Sequence, residues 1–497
     1  MQRHVSLLFI LLFLTLEGVS YSSQQTDDSA QKKAVTEQEY DEIMFDWTRT
    51  WAEVMQLAKR KHYKIVEPEK AMSRAIDAFL NYLDPHSNFL DQKSYSSMME
   101  TTSGEFFGIG IVIDNTRKTK DRALTIVEII PDGPAEKAGL MQYDKIVEID
   151  EKSLEGLTTD EAIKLIKGEK GSKVSLKVIR EGQPDLVSVD VTRDMVKTQA
   201  SLSFYIKNQN IYYLSLTTFS ENAITQVENL LKKAAKKTYR GIILDLRNNS
   251  GGLLHAVITI AGLFLPKGSV IAITKDKHDK VIESYKTKRD PIANNKTPIF
   301  ILINNYTASA AEILAGCLKI HADSPHPKQN SLVFLVGTPT FGKGSVQEVI
   351  PVNNNCAITL TTSLYFLPDN NSIQGIGISP DFQIERYLPP TEQFKWFTQS
   401  YGRENTLENY IVVHKDIKNK KDSSKKERKN LQKTWIERAK DMLCHDNQLK
   451  ETITLINILD SAKDSAPQSI TSRSKALEFL KKHYINGEEL DIEEIKA

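Results

Sequence analysis

One serine in the sequence stands where the end of a helix could activate it as a nucleophile. The apolar run Pro298–Ile303 predicts a buried strand, and the small residues after it begin a helix predicted over Ala308–Leu318. Ser309 would lie in the first turn of that helix, where the helix dipole favours negative charge developing on its oxygen. Small neighbouring residues leave room for a substrate carbonyl. A serine in this place is also an ordinary helix cap, so the segment alone does not distinguish the two roles.

A lysine flanked by two glycines could supply the base that such a serine needs. Lys343 begins an apolar strand, and because side chains alternate along a strand, Lys343, Ser345 and Gln347 are predicted to share one face. A general base must be uncharged, whereas an ordinary lysine has a pKa of about 10.4, so burial would have to lower the pKa of Lys343. The amide of Gln347 could orient the amine without adding a negative charge that favours its protonated form. A serine paired with such a lysine can hydrolyse acyl bonds.

A glycine-rich turn could complete such a site by binding an oxyanion. The run Gly241–Leu246 predicts a strand, the run Leu253–Leu265 predicts a helix, and Gly251 and Gly252 lie in the turn between them. The backbone N–H of Gly251 or Gly252, together with that of Ala310, could point at the negative oxygen of a tetrahedral intermediate. Taken alone, a turn of this composition usually does no more than connect a strand to a helix.

A separate module of short β-branched runs could hold a peptide. In Gly104–Ile111 the glycines allow successive backbone N–H groups to form an anion-binding nest, and the strand that follows begins at an apolar edge. A docking chain could add a strand there and place its terminal carboxylate in the nest. The helix predicted over Thr159–Lys167 would face the same groove. The predicted peptide-binding residues are Phe107, Gly108, Ile109, Gly110, Ile111, Ile163 and Ile166.

The order of these motifs along the chain resembles that of a known enzyme family. The run Ile130–Leu140 and the glycine-rich start of the module make Thr101–Arg193 similar to a PDZ domain of the bacterial protease type. The module is preceded by Leu83-Asp84-Pro85-His86-Ser87 and followed by the glycine turn, the serine and lysine segments, and Gly375–Asp381. Over about Glu37–Glu385 this order resembles that of the C-terminal processing peptidases, also called tail-specific proteases.

The resemblance implies a serine endopeptidase that acts without a cofactor. By motif, Ser309 is the nucleophile, Lys343 the general base and Gln347 the residue that orients the lysine, whereas Glu312 and Arg247 are expected to be structural. A PDZ domain of this family binds apolar C-termini, so unfolded or C-terminally tailed proteins are the expected substrates, threaded to the serine as an added strand. The family analogy also suggests a homodimer built on the terminal helices. No metal ion is expected.

The sequence departs from the family pattern at two places. Ser250 stands where many members have proline, which is a mild change. Between Leu318 and Val333 the chain is longer than usual and polar, and we expect a surface loop there. A metal site or a histidine base is the alternative for that loop. Its polar residues include His321, Asp323 and His326.

Two other functions stay open from the sequence alone. The first is a catalytically silent PDZ scaffold that only binds peptides, against which the intact set of Ser309, Lys343 and Gln347 argues. The second is a serine hydrolase that uses His255 or His321 as its base. These alternatives differ from the lysine mechanism in a measurable way, because a histidine-based enzyme should keep full activity when Lys343 is replaced by alanine.

The elements that must position these residues indicate an α/β (α+β) multidomain fold. Apolar residues at helical spacing predict two or three amphipathic helices between Glu37 and Tyr82, and strands alternate with helices from about Ser201 onward. We expect a helical N-terminal region, a PDZ domain, an α/β layered peptidase core, and a charged helical C-terminal tail whose Lys415–Lys433 stretch is solvated. The predicted boundaries are a signal peptide at 1–22, the N-terminal helices at 23–100, the PDZ domain at 101–193, the core at 194–388 and the tail at 389–497.

Composition and the N-terminus limit the partners and the location of the chain. The 497 residues carry 65 Lys and Arg against 64 Asp and Glu, so no overall basic field exists to hold nucleic acid. Arg3 and His4 precede the apolar run Val5–Leu16, which is too short to span a bilayer and is typical of a cleaved secretory signal. An uncleaved anchor is the alternative. We expect secretion across the inner membrane, a periplasmic (extracytoplasmic) location, and no membrane span after signal cleavage.

Cysteine usage and the lysine motif exclude two further kinds of site. The three cysteines Cys317, Cys356 and Cys444 contain no CxxC element, so neither a disulfide framework nor a zinc site is predicted, although a single bridge stays open. Gly344 follows the lysine where a phosphate-binding loop requires Ser or Thr, so nucleotide binding is not predicted.

Overall fold

The fold is described from a computed structural model. It describes residues 36–113, 123–130, 132–293, 297–324, 332–352, 355–386 and 446–485. The chain divides into two compact units, Met1–Arg74 and Ala75–Ala497. The predicted signal peptide, the Lys415–Lys433 stretch, His326 and Cys444 lie outside the described residues.

Two helices come first, as the apolar periodicity predicts. Helix α1 spans Glu37–Lys61 and begins with a capping box, in which Thr36 accepts from the backbone of Glu39 and the Glu39 carboxylate accepts from the backbone of Thr36. Within the described part of the chain no side chain of α1 is buried, although the helix carries large apolar residues such as Trp47. Helix α2 spans Pro68–Leu83 and ends just before an Asp-Pro pair, because proline cannot continue a helix.

The next region is a small β-rich module around its own core. Its elements are, in chain order, β1 Asn88–Leu90, α3 Gln92–Ser103, β2 Glu105–Gly108, β3 Ile111–Ile113, β4 Leu124–Ile129, α4 Pro134–Lys137, β5 Lys145–Ile149, β6 Lys152–Ser153, α5 Thr159–Ile166, β7 Lys173–Ile179, β8 Val187–Thr192 and β9 Asp194–Lys197. One sheet has the order β3-β4-β5-β7-β8 with β6 beside β5, and a separate ribbon pairs β2 with β9. Thr158 caps α5 in a capping box with Glu161, in agreement with the predicted helix start. Fully buried aliphatic residues such as Ile126, Ile146 and Leu176 form the core.

A second, largely parallel sheet carries the elements that hold the predicted serine and glycine turn. They are β10 Ser201–Ile206, β11 Ile211–Leu216, α6 Glu221–Ala234, β12 Gly241–Asp245, α7 Leu254–Ala261, β15 Ile299–Ile303, α8 Ala310–Asp323, β16 Val333–Gly337 and β19 Phe382–Gln383. The strand order is β10-β11-β12-β15-β16-β19, antiparallel only between β10 and β11. Parallel strands buried on both faces explain the continuous apolar runs seen in the sequence.

Helices cover both faces of this sheet. On one face, alternate residues such as Ile242, Leu244 and Ile301 pack with α6, α7 and α8. On the other face, residues such as Ile243 and Phe300 pack with two C-terminal helices, α9 Asn447–Ser465 and α10 Arg473–Ile485, which a short 3-10 turn connects. The C-terminal tail was predicted to be charged and helical, but its last part is an integral layer of the core.

A third sheet is antiparallel and joins distant parts of the chain. Its strands are β13 Val270–Lys275, β14 Val281–Lys286, β17 Ser345–Pro351 and β18 Ala357–Phe366, together with β1. The order is β1-β18-β13-β14, and β17 also pairs with β18. In this sheet β18 therefore pairs both with β1, which follows α2, and with β17, which follows the predicted lysine base. No helix in the described residues is long and apolar enough to cross a membrane.

Candidate active site

Ser309 lies on a strained turn between a buried strand and a helix. The turn connects β15 to α8, whose first residue is Ala310, so the serine sits at the mouth of the helix as predicted. Its backbone angles are φ 54° and ψ −119°, a positive-φ conformation that residues other than glycine seldom adopt. Strain of this kind persists only where surrounding contacts hold it, and it is common at functional turns. The side chain is partly exposed, so a substrate could reach its oxygen.

A buried carboxylate ties the serine turn to the lysine segment. Glu312 is completely buried, and its Oε2 accepts hydrogen bonds from the backbone N–H of Ser309 at 2.8 Å and of Lys343 at 2.9 Å. Its Oε1 accepts from the backbone N–H of Gly342 at 2.7 Å and from the hydroxyl of Thr340 at 2.5 Å. Burial raises the pKa of Glu312, whereas these four hydrogen bonds act to lower it. The structural role predicted for Glu312 is consistent with these contacts.

The amine of Lys343 lies in a partly buried environment that favours its uncharged form. Burial lowers the pKa of Lys343, which is the direction that a general base requires. The negative charge of Asp84 acts the other way and raises this pKa. His86 is also within electrostatic reach, since burial and then Lys343 lower its pKa. A carboxylate so near the amine was not predicted, because Asp84 is far from Lys343 in the sequence.

Gln347 is held by two hydroxyl groups and not by the lysine. Strand β17 begins at Ser345, after Lys343, and its pairing with β18 has a bulge just before Gln347. The Nε2 of Gln347 donates to Ser345 Oγ at 2.9 Å and to Thr361 Oγ1 at 3.1 Å. In the described part of the chain, no hydrogen bond joins the Lys343 amine to Ser309 or Gln347. The structure therefore gathers the three predicted residues on neighbouring segments that Glu312 and strand β17 hold in place.

The glycine turn packs directly against the serine. The three backbone N–H groups predicted to bind the oxyanion, those of Gly251, Gly252 and Ala310, differ in their hydrogen-bond partners. Gly251 has φ 104°, and a Cβ there would lie 2.9 Å from the Cβ of Ser309 and 3.1 Å from the backbone N of Ala310. The Gly251 N–H already donates to Asn249 Oδ1 at 2.9 Å. Among the described residues, the N–H groups of Gly252 and Ala310 have no hydrogen-bond partner. The N–H groups of Gly252 and Ala310 are thus available to donate to another acceptor, whereas that of Gly251 already donates to the asparagine.

A buried ion cluster fixes the start of the glycine turn. Arg247 pairs with Asp245 through Nη2 at 2.5 Å and with Asp446 through Nη1 at 2.6 Å, and its Nη1 also donates to Gln448 Oε1 at 2.8 Å. Burial acts to lower the pKa of Arg247, but the two carboxylates outweigh it and hold the pKa well above its usual value. Asp446 and Gln448 belong to the start of α9, so the C-terminal helix helps to shape the candidate site. The sequence pattern contains no sign of this contact.

Exposed apolar side chains flank the candidate nucleophile and base. Phe341, Tyr306 and Ile376 are respectively 60%, 63% and 74% exposed. Phe341 is fixed next to the serine turn, because its backbone N–H donates to the carbonyl of Thr307 at 3.0 Å. Ile376 lies in the glycine-rich segment that packs on Gly342. Such side chains are available for contact with an apolar stretch of substrate.

The predicted peptide groove divides into reachable and buried residues. Strand β3 is an edge strand of its sheet in the described residues, so its free side can accept an added strand. Phe107 is half exposed and Ile163 partly exposed, and a ligand can contact both. Ile109 and Ile166 are core residues with exposures of 1% and 6%, so they support the groove from the inside. The three residues that complete the predicted set are Gly108 and Gly110, which are buried, and Ile111, which is partly buried.

The residues on which the alternative mechanisms depend have other partners. His255 Nε2 lies 2.7 Å from Glu221, and His321 Nε2 lies 2.6 Å from the carbonyl of Val270. His321 is also near the far end of α8, about 18 Å along the helix from Ser309. Asp323 pairs with Arg473 on α10 at 2.8 Å. In the part of the chain that is described, no group of three or more His, Cys, Asp or Glu residues could hold a metal ion.

The cysteine thiol on the helix that follows Ser309 is structural. Cys317 is a free, fully buried thiol in the middle of α8, and its Sγ donates to the carbonyl of Leu314 at 3.3 Å. Burial raises the pKa of Cys317, so the thiol stays protonated and unreactive. Its place among apolar side chains is that of a small hydrophobic residue.

Two protein-family models match this chain. Residues 210–384 match the model of peptidase family S41, and residues 96–179 match that of the PDZ domain. A carboxy-terminal-processing protease of Bartonella bacilliformis is 34% identical over 73% of this chain and 80% of its own. The carboxy-terminal processing protease CtpA of Bacillus subtilis is 31% identical over 84% of this chain and 85% of its own.

Among solved structures, a photosystem II D1 C-terminal processing protease matches with 26% identity and a TM-score of 0.39, over 67% of this chain and 86% of its own. The PDZ domain and the peptidase core predicted from the motifs are confirmed by the family matches, and both lie in the predicted order. On the strength of the two curated relatives and the family matches, this chain belongs to peptidase family S41 and carries a PDZ domain ahead of its peptidase core.

Proposed function

We propose that the protein is a serine endopeptidase in which Ser309 is the nucleophile, Lys343 the general base and Gln347 the orienter of the base. The observation that carries the proposal is the Glu312 carboxylate, one oxygen of which binds the backbone N–H groups of both Ser309 and Lys343. Burying a carboxylate in order to align two backbone segments is costly. The cost is explained if the side chains on those two segments must act together. The lowered pKa of Lys343 and the strained turn at Ser309 support the same assignment.

The reaction follows from the chemistry of these groups. The uncharged Lys343 amine removes the proton of Ser309 Oγ as this oxygen attacks the substrate carbonyl carbon, and the N–H groups of Ala310 and of Gly252 or Gly251 stabilise the oxyanion. The C–N bond then breaks, and the protonated lysine gives its proton to the leaving amine. A water molecule next gives a proton to the lysine and attacks the ester, after which the serine recovers its proton and the C–O bond breaks. No step needs a metal or a nucleotide.

We further propose that the PDZ domain selects substrates by their C-termini. The free edge of β3 and the reachable side chains of Phe107 and Ile163 support the addition of an extended apolar chain. The names of the relatives, which are carboxy-terminal processing proteases, support the same substrate class. Unfolded or C-terminally tailed proteins are then the substrates, and the exposed apolar residues around Ser309 would contact the threaded chain.

Location, assembly and domain boundaries are also proposals. We propose an extracytoplasmic, periplasmic protein whose N-terminal segment 1–22 is a signal peptide, with domains at 23–100, 101–193, 194–388 and 389–497. A homodimer built on the N-terminal helices would cover exposed apolar residues of α1 such as Phe45 and Trp47, which are 71% and 68% exposed. Light scattering of the mature protein with and without residues 37–61 tests the dimer, which should be lost with the helix.

Digestion of denatured casein by the wild type, Ser309→Ala and Lys343→Ala tests the proposed function. The wild type should cleave, and both variants should lose almost all turnover while keeping the wild-type circular dichroism spectrum. Equal absence of cleavage in all three proteins would favour a peptide-binding scaffold. Full activity of Lys343→Ala would show that another base, such as a histidine, activates the serine.

A further inference from the structure

The turn after α2 presents a carboxylate to the sheet that carries Gln347. Asp84 Oδ1 accepts from the backbone N–H groups of His86 at 2.8 Å and Ser87 at 3.0 Å, and its Oδ2 accepts from Ser87 Oγ at 2.6 Å. Burial acts to raise the pKa of Asp84, but these hydrogen bonds outweigh it and hold the pKa below its usual value. Asp84 is therefore a carboxylate, with acceptor capacity only.

This turn is fixed to strand β18 at two threonines on the same face. Thr359 accepts from the backbone N–H of Asn88 at 3.1 Å and donates to the carbonyl of His86 at 3.2 Å. The backbone N–H of Thr361 donates to Ser87 Oγ at 3.1 Å, and its hydroxyl donates to Asp84 Oδ1 at 3.0 Å. The first threonine thus holds the backbone of the turn, whereas the second also touches the carboxylate.

The hydroxyl of Thr361 determines which way the Gln347 amide points. A hydroxyl has one hydrogen, and because Thr361 gives it to the Asp84 carboxylate, only its lone pairs can face Gln347. The amide must therefore turn its NH2 group toward Thr361, where Nε2 lies 3.1 Å from Oγ1, and its second N–H goes to Ser345. With both amide hydrogens used, Oε1 of Gln347 is left as an acceptor.

We propose that Asp84 and Thr361 are positioning residues that fix the Gln347 amide so that its oxygen, and never its NH2 group, faces the amine of Lys343. The inference rests on the proposed role of Lys343 as base. An uncharged amine has two N–H donors and one lone pair. When one of these N–H groups donates to the Gln347 oxygen, the lone pair of the amine stays free to face Ser309. If the Gln347 amide were flipped, its NH2 group would face the N–H groups of the lysine amine. The lone pair of the amine would then have to turn toward Gln347 and away from Ser309.

The charge of Asp84 has a second consequence for the base. Burial lowers the pKa of Lys343, and the negative charge of Asp84 acts in the opposite direction, so Asp84 opposes part of the effect of burial on the base. Among the described residues, the titratable side chains that interact electrostatically with the amine are Asp84 and His86, and Glu312 is bonded to the backbone of the same residue.

Five variants, which include Gln347→Ala both alone and together with Thr361→Val, separate orientation from simple stabilisation of the turn. Thr361→Val keeps the shape of the side chain and removes the hydroxyl, whereas Thr361→Ser restores the hydroxyl. Thr359→Val is the matched control, because it loosens the same turn on the same strand without touching Asp84 or Gln347. Gln347→Ala with Thr361→Val completes a double-mutant cycle. The readouts are kcat and KM on denatured casein below the melting temperature of every variant.

We expect Thr361→Val to lower kcat by about tenfold to a hundredfold with little change in KM. This loss is a part of the roughly 10²–10⁴-fold rate increase that a positioned general base contributes. Thr361→Ser should recover most of that loss, Thr359→Val should stay within about twofold of the wild type, and Thr361→Val should have no further effect once Gln347 is alanine. A wild-type kcat for Thr361→Val, equal losses for the two valine variants, or additive losses in the cycle would each overturn the inference. If Ser309→Ala or Lys343→Ala also stayed active, the proposed function itself would have failed.

Discussion

Ser309 and Lys343 are joined through a single atom, Oε2 of Glu312, which accepts a hydrogen bond from the backbone N–H of each residue at 2.8 and 2.9 Å. The two segments are thus aligned by the backbone, while their side chains are not bonded to each other in the described structure. The alignment of these two segments therefore comes from their backbone hydrogen bonds to Glu312.

Replacing Glu312 by glutamine should damage this alignment. Four donors surround the carboxylate, and an amide can accept from only some of them, so at least one buried N–H loses its acceptor at a cost of about 1–3 kcal/mol. We expect a lower melting temperature and a kcat loss that persists at temperatures where the variant is fully folded. Glu148→Gln, which loses only the partly exposed partner of Lys177, is the control and should change neither quantity noticeably. Wild-type kcat in folded Glu312→Gln would contradict the aligning role.

The pH profile should report the pKa of Lys343. The base acts only when uncharged, so kcat/KM should rise with pH through that pKa, which burial places below the ordinary lysine value. Asp84→Asn keeps an oxygen acceptor for Thr361 but removes the negative charge that raises the pKa of Lys343. The acid limb of kcat/KM should therefore move to lower pH in this variant. An unmoved limb, or one that moves to higher pH, would show that Asp84 does not act on the base electrostatically.

The folded state should become more stable when the partly buried amine of Lys343 is removed. The pKa of Lys343 is lower in the folded chain than the value of roughly 10.4 expected in the unfolded chain. Between these two pKa values the unfolded state binds more protons than the folded state. The wild type therefore gains stability as the pH rises from the folded pKa to the unfolded pKa. Lys343→Met should therefore melt at a higher temperature than the wild type at neutral pH. The difference should shrink as the pH approaches about 10.4. Calorimetry across this range checks the sign, and a methionine variant that is less stable at neutral pH would refute it.

Helix α9 should be essential to the stability of the core. Removing Asp446 leaves the buried Arg247 with one carboxylate fewer, and breaking a buried pair in this way costs about 3–5 kcal/mol. Asp460→Ala on the same helix breaks the more exposed pair with Arg240 and should cost less than about 1 kcal/mol. Urea denaturation of Asp446→Ala and Asp460→Ala measures both. Similar small losses would mean that the cluster does not hold α9 in place.

The PDZ groove should require a free carboxylate and the reachable apolar residues. A peptide with an apolar C-terminus should bind the Ser309→Ala protein in calorimetric titration, and its C-terminal amide should bind much more weakly. Ile163→Asp should weaken binding, because Ile163 is partly exposed on α5. Ile179→Asp is the matched control at an exposed position on β7. Equal binding of acid and amide would exclude recognition of the C-terminal carboxylate.

Local patterns were sufficient to predict the elements that carry the site. Apolar runs mark strands β11 and β12, because both strands are buried on both faces. Small residues mark the start of the helix after Ser309, because that helix packs at close range. The contacts between distant segments were not predictable in this way. Thr361 meets Asp84, and Arg247 meets Asp446, through sheet register and helix packing that only the tertiary structure defines.

The burial of groove residues shows the same limit. Ile109 and Ile166 carry the apolar character expected of a peptide groove, but that character equally suits a core, and the structure places both in the core of the module. Whether an apolar side chain faces a groove or a core depends on which neighbours the fold supplies.

The rate at which Ser309 is acylated, with and without the lysine amine, tests the account most directly. A fluorophosphonate probe followed by peptide mapping should label Ser309 in the wild type, and Lys343→Met, although folded, should be labelled many times more slowly. Labelling of Ser309 at the wild-type rate in Lys343→Met, or labelling at another residue, would contradict the pairing of this serine with this lysine.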